Sequence, residues 1–178
     1  WRTPAYHRGE GQALLDATKD LGIEGIVAKK LDCPYTPGAR ASHWIKVKNV
    51  HTQDVVIGGW TAGEGGRSSS LGSLAVGVYD GDDLKYAGKV GTGFSAAQIR
   101  ELVAVAEPLR QSQSPFESIP ESGGSRWSYG LSAAEPKTAV WLKPVLICRV
   151  RFTEWTLDGH LRHPAFEGLR SDVDAREV

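Results

Sequence analysis

Three strings in this sequence carry residue types suited to handling phosphate. The first is Glu24-Gly-Ile-Val-Ala-Lys29. A carboxylate at the head of an otherwise apolar strand is costly to bury unless a metal ion or a lysine pairs with it. Gly25 beside it lets a ligand or another backbone approach closely. The bland alternative is an edge strand with Glu24 and Lys29 in water. The second string is Ser42-His-Trp-Ile-Lys-Val-Lys48. In an extended chain Lys46 and Lys48 share one face. Two fixed ammoniums suit a phosphate whose negative charge grows in a transition state. A solvated amphipathic strand is the alternative, but from Cys33 to Gln53 the chain holds Arg40, His43, Lys46, Lys48 and His51 and no acid. The third string runs from Leu161 to Asp172, with Arg162 and Arg170 on either side of Phe166. Guanidinium groups make forked hydrogen bonds to polyphosphate or a nucleic-acid backbone. The alternative there is a charged tail.

Other chemistries find less support. Cys33, His43 and His51 match no familiar tetrahedral zinc spacing. A Ser-His-Asp hydrolase is disfavoured because no Gly-x-Ser-x-Gly elbow occurs.

The elements that must position these strings are readable from periodicity. Residues 9 to 21 place Leu14, Leu15, Thr18 and Leu21 at helical spacing, with Gly22 as a C-terminal stop. Residues 23 to 28 read as a strand, 32 to 42 as a loop, and 44 to 50 as a second strand. After His51 the texture becomes β-rich. Asp54 to Trp60 is a β-branched run, and 63 to 70 reads as a flexible loop. Leu74 to Val78 and Leu84 to Val90 form strands around the Asp80-Gly81 hairpin signal. Ser95 and Gln98 make a capping box for a helix that ends near Pro108. Residues 111 to 136 read as an exposed loop rich in Ser, Pro, Gly and Glu. From Val145 apolar residues again alternate with polar ones, among them Arg149 and Arg151, and Asp158-Gly159 signals a further hairpin. Three strands, a helix and two more strands have the order of a small Greek-key barrel. The OB fold has this order, although other small barrels share it.

Bulk properties set limits. A chain of 178 residues, 40% hydrophobic and 24% charged, has room for one or two domains and a real core. Twenty-one basic residues balance twenty-one acidic ones, so a wholly basic nucleic-acid coat is disfavoured, although a local patch still binds phosphate. No apolar run approaches the roughly 20 residues of a membrane span, and no membrane partner is expected. Cys33 and Cys148 read as free thiols of a reducing cytoplasm, with a single bridge between them as the alternative. A chain without Met that opens on Trp1 reads as part of something longer.

In order, the three strings resemble motifs IV, V and VI of ATP-dependent DNA ligases. The wider text resembles the bacterial end-joining type, the ligase module of ligase D. The phrases that carry this resemblance are Glu24-Gly-Ile-Val-Ala-Lys-Lys, Tyr35-Thr-Pro-Gly, Thr52-Gln-Asp-Val-Val-Ile-Gly-Gly-Trp60, Gly63-Glu-Gly-Gly-Arg67, Gly88-Lys-Val-Gly-Thr-Gly-Phe94, Glu154-Trp-Thr and Gly168-Leu-Arg-Ser-Asp172. Any one is weak; seven in order are specific.

The resemblance implies an α+β, mostly β fold. Residues 1–50 would be the tail of a nucleotidyltransferase core, and residues 51–178 an OB-type Greek-key barrel with one helix, ending in motif VI. It implies ATP and Mg²⁺ or Mn²⁺ as cofactors. Nicked or broken duplex DNA would be the substrate, end-joining proteins would be partners, and the setting would be the bacterial cytoplasm and nucleoid. Glu24 would serve the metal. Lys46 and Lys48 would be catalytic, contacting the adenylate phosphate. Glu24, Lys29, Arg162, Arg170 and Asp172 would complete the ATP site, with motif VI on the pyrophosphate. Arg67, Lys89, Arg149 and Arg151 are candidates for the DNA backbone. Two departures stand out. The motif I string Lys-x-Asp-Gly is absent, Lys19-Asp-Leu-Gly22 being the nearest, so the AMP-carrying lysine is expected in an N-terminal segment before Trp1. Val173 stands where motif VI has lysine. Two other readings are a non-catalytic OB-type DNA-binding module and a guanylyltransferase fragment of the mRNA-capping type. The 53–60 and 88–94 phrases favour the ligase over the latter.

Overall fold

A computed structural model describes residues 5–63, 71–119 and 138–178. The chain divides into two compact units, Trp1–Val50 and His51–Val178.

In the first unit, helix α1 (Gly11–Asp20) precedes the antiparallel strands β1 (Gly25–Lys29) and β2 (Trp44–Lys48). The helix stops at Gly22, whose φ of 65° lies in the left-handed region that favours glycine. The Gly22 amide donates to Lys19 O at 3.1 Å and the Ile23 amide to Thr18 O at 2.9 Å, the paired closure of a Schellman motif. The register sets Gly25 opposite Lys48, Val27 opposite Lys46 and Lys29 opposite Trp44. Residues directly opposite share a face, so both lysines, Trp44 and Lys29 lie on one side. Gly25 is required here: a Cβ would sit 2.1 Å from Val47 O, and its φ is 143°. The observed β1 begins two residues later than the alternation predicts, which leaves Glu24 at its mouth.

In the second unit β3 (His51–Ala62), β4 (Leu71–Asp80), β5 (Asp83–Val90), β7 (Val140–Phe152) and β10 (Ala165–Arg170) form one antiparallel sheet. Its order is β10-β7-β3-β4-β5, with the short β6 (Arg110–Gln111) added to β7. Strands β8 (Glu154–Trp155) and β9 (Leu161–Arg162) make a separate hairpin. Both ladders of β3 shift register between Ile57 and Gly59, and such bulges bend and twist a strand. The sheet curls into a half-barrel of OB type. The Phe166 amide donates to Thr92 O at 2.9 Å, tying β10 to the segment after β5. Helix α2 (Ala96–Ala106) opens on the expected capping box of Ser95 and Gln98. It buries Leu102 and Ala106 in the inner core with Val55, Ile57, Leu74, Val76, Cys148 and Val150.

The opposite face of the sheet is also covered. Val56, Ala75, Leu84, Tyr86 and Trp141 pack around Phe116. Its ring meets Tyr86 edge-on at 5.3 Å and Trp141 at 6.1 Å. Gly58 and Gly77 make the seat: a Cβ on either would lie within 2.8 Å of the Phe116 ring. Part of the segment read as an exposed loop is thus a plug. Residues 64–70, including Arg67, lie outside the described residues, as do 120–137. The final string, for which a charged tail was the alternative, instead supplies strand β9, paired with β8, and strand β10, paired with β7. Among the described residues no helix is long and apolar enough to cross a membrane.

Candidate functional site: a carboxylate between two lysines and a chain of arginines and aspartates

Glu24 accepts from both lysines through the same oxygen. Lys46 Nζ and Lys48 Nζ each lie 2.9 Å from Glu24 Oε1. The two ammoniums hold the Glu24 carboxyl down at about 2, chiefly through the Lys46 and then the Lys48 hydrogen bond. The group is 61% exposed, so water screens the pairs and they add little to stability. What they fix is geometry: two ammoniums converge on one point in front of the hairpin.

The backbone beneath this point is held by a buried amide that sequence reasoning passed over. Asn49, 7% exposed, donates from Nδ2 to Thr18 Oγ1 at 3.1 Å and to Ile23 O at 2.7 Å. Its own amide donates to Glu24 O at 2.9 Å. One side chain thus ties the last turn of α1 to the residue before Glu24. A signal existed: an amide side chain closing an alternating strand must find partners when buried.

Lys29 points elsewhere. Its Nζ sits 4.1 Å from the centroid of the Trp44 ring, a cation–π contact. Tyr35 packs on the same ring at 6.0 Å. Tyr35, Thr36, Arg40, His43 and Trp44 line a cleft of about 360 Å³.

In the second unit the residues likened to motif VI part. Arg162, in β9, is ion-paired with Glu154 of β8. Arg170 ends β10, where its Nε and Nη2 each donate to Asp172 at 2.7 Å. Its Nη1 lies 3.2 Å from Asp54 Oδ2 and 3.4 Å from Oδ1. Asp54 in turn accepts a fork from Arg149, Nε at 2.9 Å and Nη2 at 3.1 Å. The Arg170 guanidinium beside Asp172 holds that carboxyl below its usual range. Asp54 went unremarked in the sequence reading, although an acid opening a buried β-branched run requires a partner. Of the backbone-contact candidates, Arg149 is engaged by Asp54. Arg151 is exposed on β7, and Lys89 lies on β5 opposite Ala75.

Two family models cover these two regions. Residues 5–48 match the ATP dependent DNA ligase domain, and residues 67–173 match the ATP dependent DNA ligase C terminal region. The chain belongs to the ATP-dependent DNA ligases. It is 41% identical over 175 residues to the multifunctional non-homologous end joining DNA repair protein LigD of Mycobacterium tuberculosis, covering 98% of this chain and 22% of that protein. To the multifunctional non-homologous end joining protein LigD of Pseudomonas aeruginosa it is 36% identical over 168 residues, covering 93% and 18%. The solved ligase domain of M. tuberculosis LigD superposes with a TM-score of 0.63 at 40% identity, over 96% of this chain and 52% of that one. A mycobacterial DNA ligase D complexed with ATP and MES gives 0.60 at 36% identity, over 96% and 51%. This ligase-family chain therefore spans about a fifth of these curated relatives and about half of the solved ligase domains.

Proposed function

We propose that this chain is the C-terminal part of an ATP-dependent DNA ligase that seals nicks or breaks through enzyme–AMP and DNA–AMP intermediates. The observation that carries this is the convergence of Lys46 and Lys48 on Glu24, within the segment that matches the ligase domain model. The Trp1–Val50 unit is read as the tail of the nucleotidyltransferase core, and the His51–Val178 unit as the OB domain.

The chemistry follows from charge. Phosphoryl transfer asks a protein mainly for positioning and neutralisation. Lys46 and Lys48 hold three donors each on a rigid hairpin. An adenylate phosphate oxygen entering the position now held by Glu24 Oε1 would take over both ammoniums. Glu24 would then be released to a divalent ion. The residues fit Mg²⁺ in that sense, because Mg²⁺ is commonly held by one or two carboxylates plus substrate phosphates. Among the described residues no group of three or more His, Cys, Asp or Glu stands ready as a cage. When bound, the ion would neutralise phosphate charge. Arg162, Arg170 and Asp172 serve the pyrophosphate in this reading, and Lys29 with Trp44 flanks the nucleotide.

No Lys-x-Asp-Gly string occurs in the sequence, so the lysine that carries AMP is assigned to a segment before Trp1. Broken duplex DNA, end-joining partners and the bacterial nucleoid follow from the kinship with end-joining proteins. The test is intact-mass analysis after incubation with Mg²⁺ and ATP, alone and with a separately made upstream core bearing motif I. AMP is expected only in the mixture, on the upstream piece. AMP on this chain alone would refute the assignment of the nucleophile. No AMP in the mixture, while an unsplit relative takes it, would favour a non-catalytic DNA-binding module.

A further inference from the structure

Asp54, Arg149 and Arg170 stand on three adjacent strands: β3, β7 and β10. Asp54 is directly opposite Arg149, and Arg149 is opposite Gly168 of β10, two residues before Arg170. Gly168 puts no side chain beside Arg149, so the Arg170 side chain is the one from β10 that reaches across the middle strand to Asp54. The Asp54 side chain is 18% exposed, too sheltered to be a free surface charge.

Its need for a counter-ion is already met by Arg149, which forks onto both carboxylate oxygens. The contact to Arg170 is surplus for Asp54, so its consequence lies with Arg170. A guanidinium has five N–H donors. Asp172 takes one from Nε and one from Nη2, and Asp54 takes one from Nη1. One hydrogen remains on each terminal nitrogen, the pair with which a guanidinium grips a phosphate end-on. Asp172 forks onto the side edge but is itself 67% exposed, so the two side chains are left to move together as a pair. A second anchor on Nη1 removes that freedom.

We propose that Asp54 is a positioning residue for Arg170: braced by Arg149, it fixes the guanidinium so that its terminal edge is presented to a phosphate. The proposal rests on the reading above that Arg170 serves the leaving pyrophosphate of ATP. Side chains that orient metal ligands through one further contact typically change activity by about 10- to 100-fold, and the same scale is expected for a side chain that orients a phosphate-binding guanidinium.

The experiment uses a ligase chain that carries these residues behind a complete adenylation segment. Asp54→Ala, Asp54→Asn, Arg170→Ala and the double variant Asp54→Ala/Arg170→Ala are compared. Two rates are read, self-adenylation by ATP and sealing of a pre-adenylated nick, together with the melting temperature. The expected result is that Asp54→Ala slows self-adenylation by about 10- to 100-fold and Asp54→Asn by less. Sealing of the pre-adenylated nick stays within about twofold of wild type. The double variant is no slower than Arg170→Ala, because Asp54 acts only through that side chain. Multiplying losses in the double variant, or equal slowing of both steps, would make Asp54 a structural staple and overturn the proposal. Should Asp54→Ala fail to fold, Asp54→Asn decides by the same two rates. Wild-type self-adenylation in Arg170→Ala would overturn the assignment of Arg170 itself. A slow Arg170→Ala beside a fast Asp54→Ala overturns only the role of Asp54.

Discussion

Asn49 Nδ2 reaches the Thr18 hydroxyl across 31 positions of chain, at 3.1 Å and out of water. The Thr18 hydroxyl itself donates to Leu15 O at 2.6 Å, so it is free to accept from the amide. Asn49→Ala strands the Ile23 carbonyl and loosens the floor under Glu24. A buried acceptor left unsatisfied costs about 1–3 kcal/mol. Native-state hydrogen exchange should show the β1–β2 hairpin opening more readily by that amount, with the β3–β7 ladder unchanged. Equal loss of protection in both would show that Asn49 supports more than its own unit.

The Glu24 carboxyl provides a second check. Its folded value of about 2 lies below the ordinary 4.5. For a depressed acid, the favourable interaction is present above the ordinary value and is lost as pH falls through the folded one. The window is therefore pH 4.5 down to about 2, and Glu24 stays ionised throughout the neutral range. A carboxyl carbon titration by NMR should find its midpoint near 2. Lys46→Gln should move the midpoint upward more than Lys48→Gln, matching the larger share of Lys46. A midpoint near 4.5 in the wild type would mean that the lysines do not hold the carboxylate in solution.

Phe116 and Gly58 form a coupled pair on the outer face. Removing the ring in Phe116→Ala should cost about 3–5 kcal/mol, measured by urea unfolding. Gly58→Ala forces a methyl to within 2.3 Å of that ring and should also destabilise. The double variant should cost less than the sum, because the ring that clashes has gone. Full additivity would mean that the strand, and not the ring, yields to the methyl.

Arg151 and Arg149 lie two residues apart on β7 yet should behave differently. Arg151 is exposed, whereas Arg149 is locked on Asp54. If this face meets the DNA backbone, Arg151→Gln should weaken binding to every sequence alike and reduce the salt slope by about 1. Arg149→Gln should leave the slope alone and lower the melting temperature. Fluorescence anisotropy on nicked duplex across a salt series would measure both. An unchanged slope in Arg151→Gln would remove it from the interface.

Local features were legible where the cause is local. The capping box of Ser95 and Gln98, the hairpin after Asp80, the stop at Gly22 and the shared face of Lys46 and Lys48 all arise within a few residues, and all are present. Strand β10 was harder, because Glu167, Gly168 and Arg170 interrupt its apolar alternation. That Asp54 needs a partner was legible, but which residues meet that need was not. Its partners lie 95 and 116 residues away, and no periodicity reports a pairing that exists only once the sheet is assembled. Phe116 was hidden in the same way. An aromatic inside a Ser- and Pro-rich run gives no hint of the glycines waiting on β3 and β4.

Cys148 sits at the centre of the β3–β7 ladder opposite Val55, with no exposed surface, and burial pushes its thiol well up from the usual value. Cys33 lies in the other unit, partly open to water. An alkylating reagent therefore meets two clocks in one molecule. Cys33 reacts at a rate set by chemistry, and Cys148 only when the ladder parts. The mass gained by the second modification, followed in time, counts how often the half-barrel opens without any label having been engineered into it.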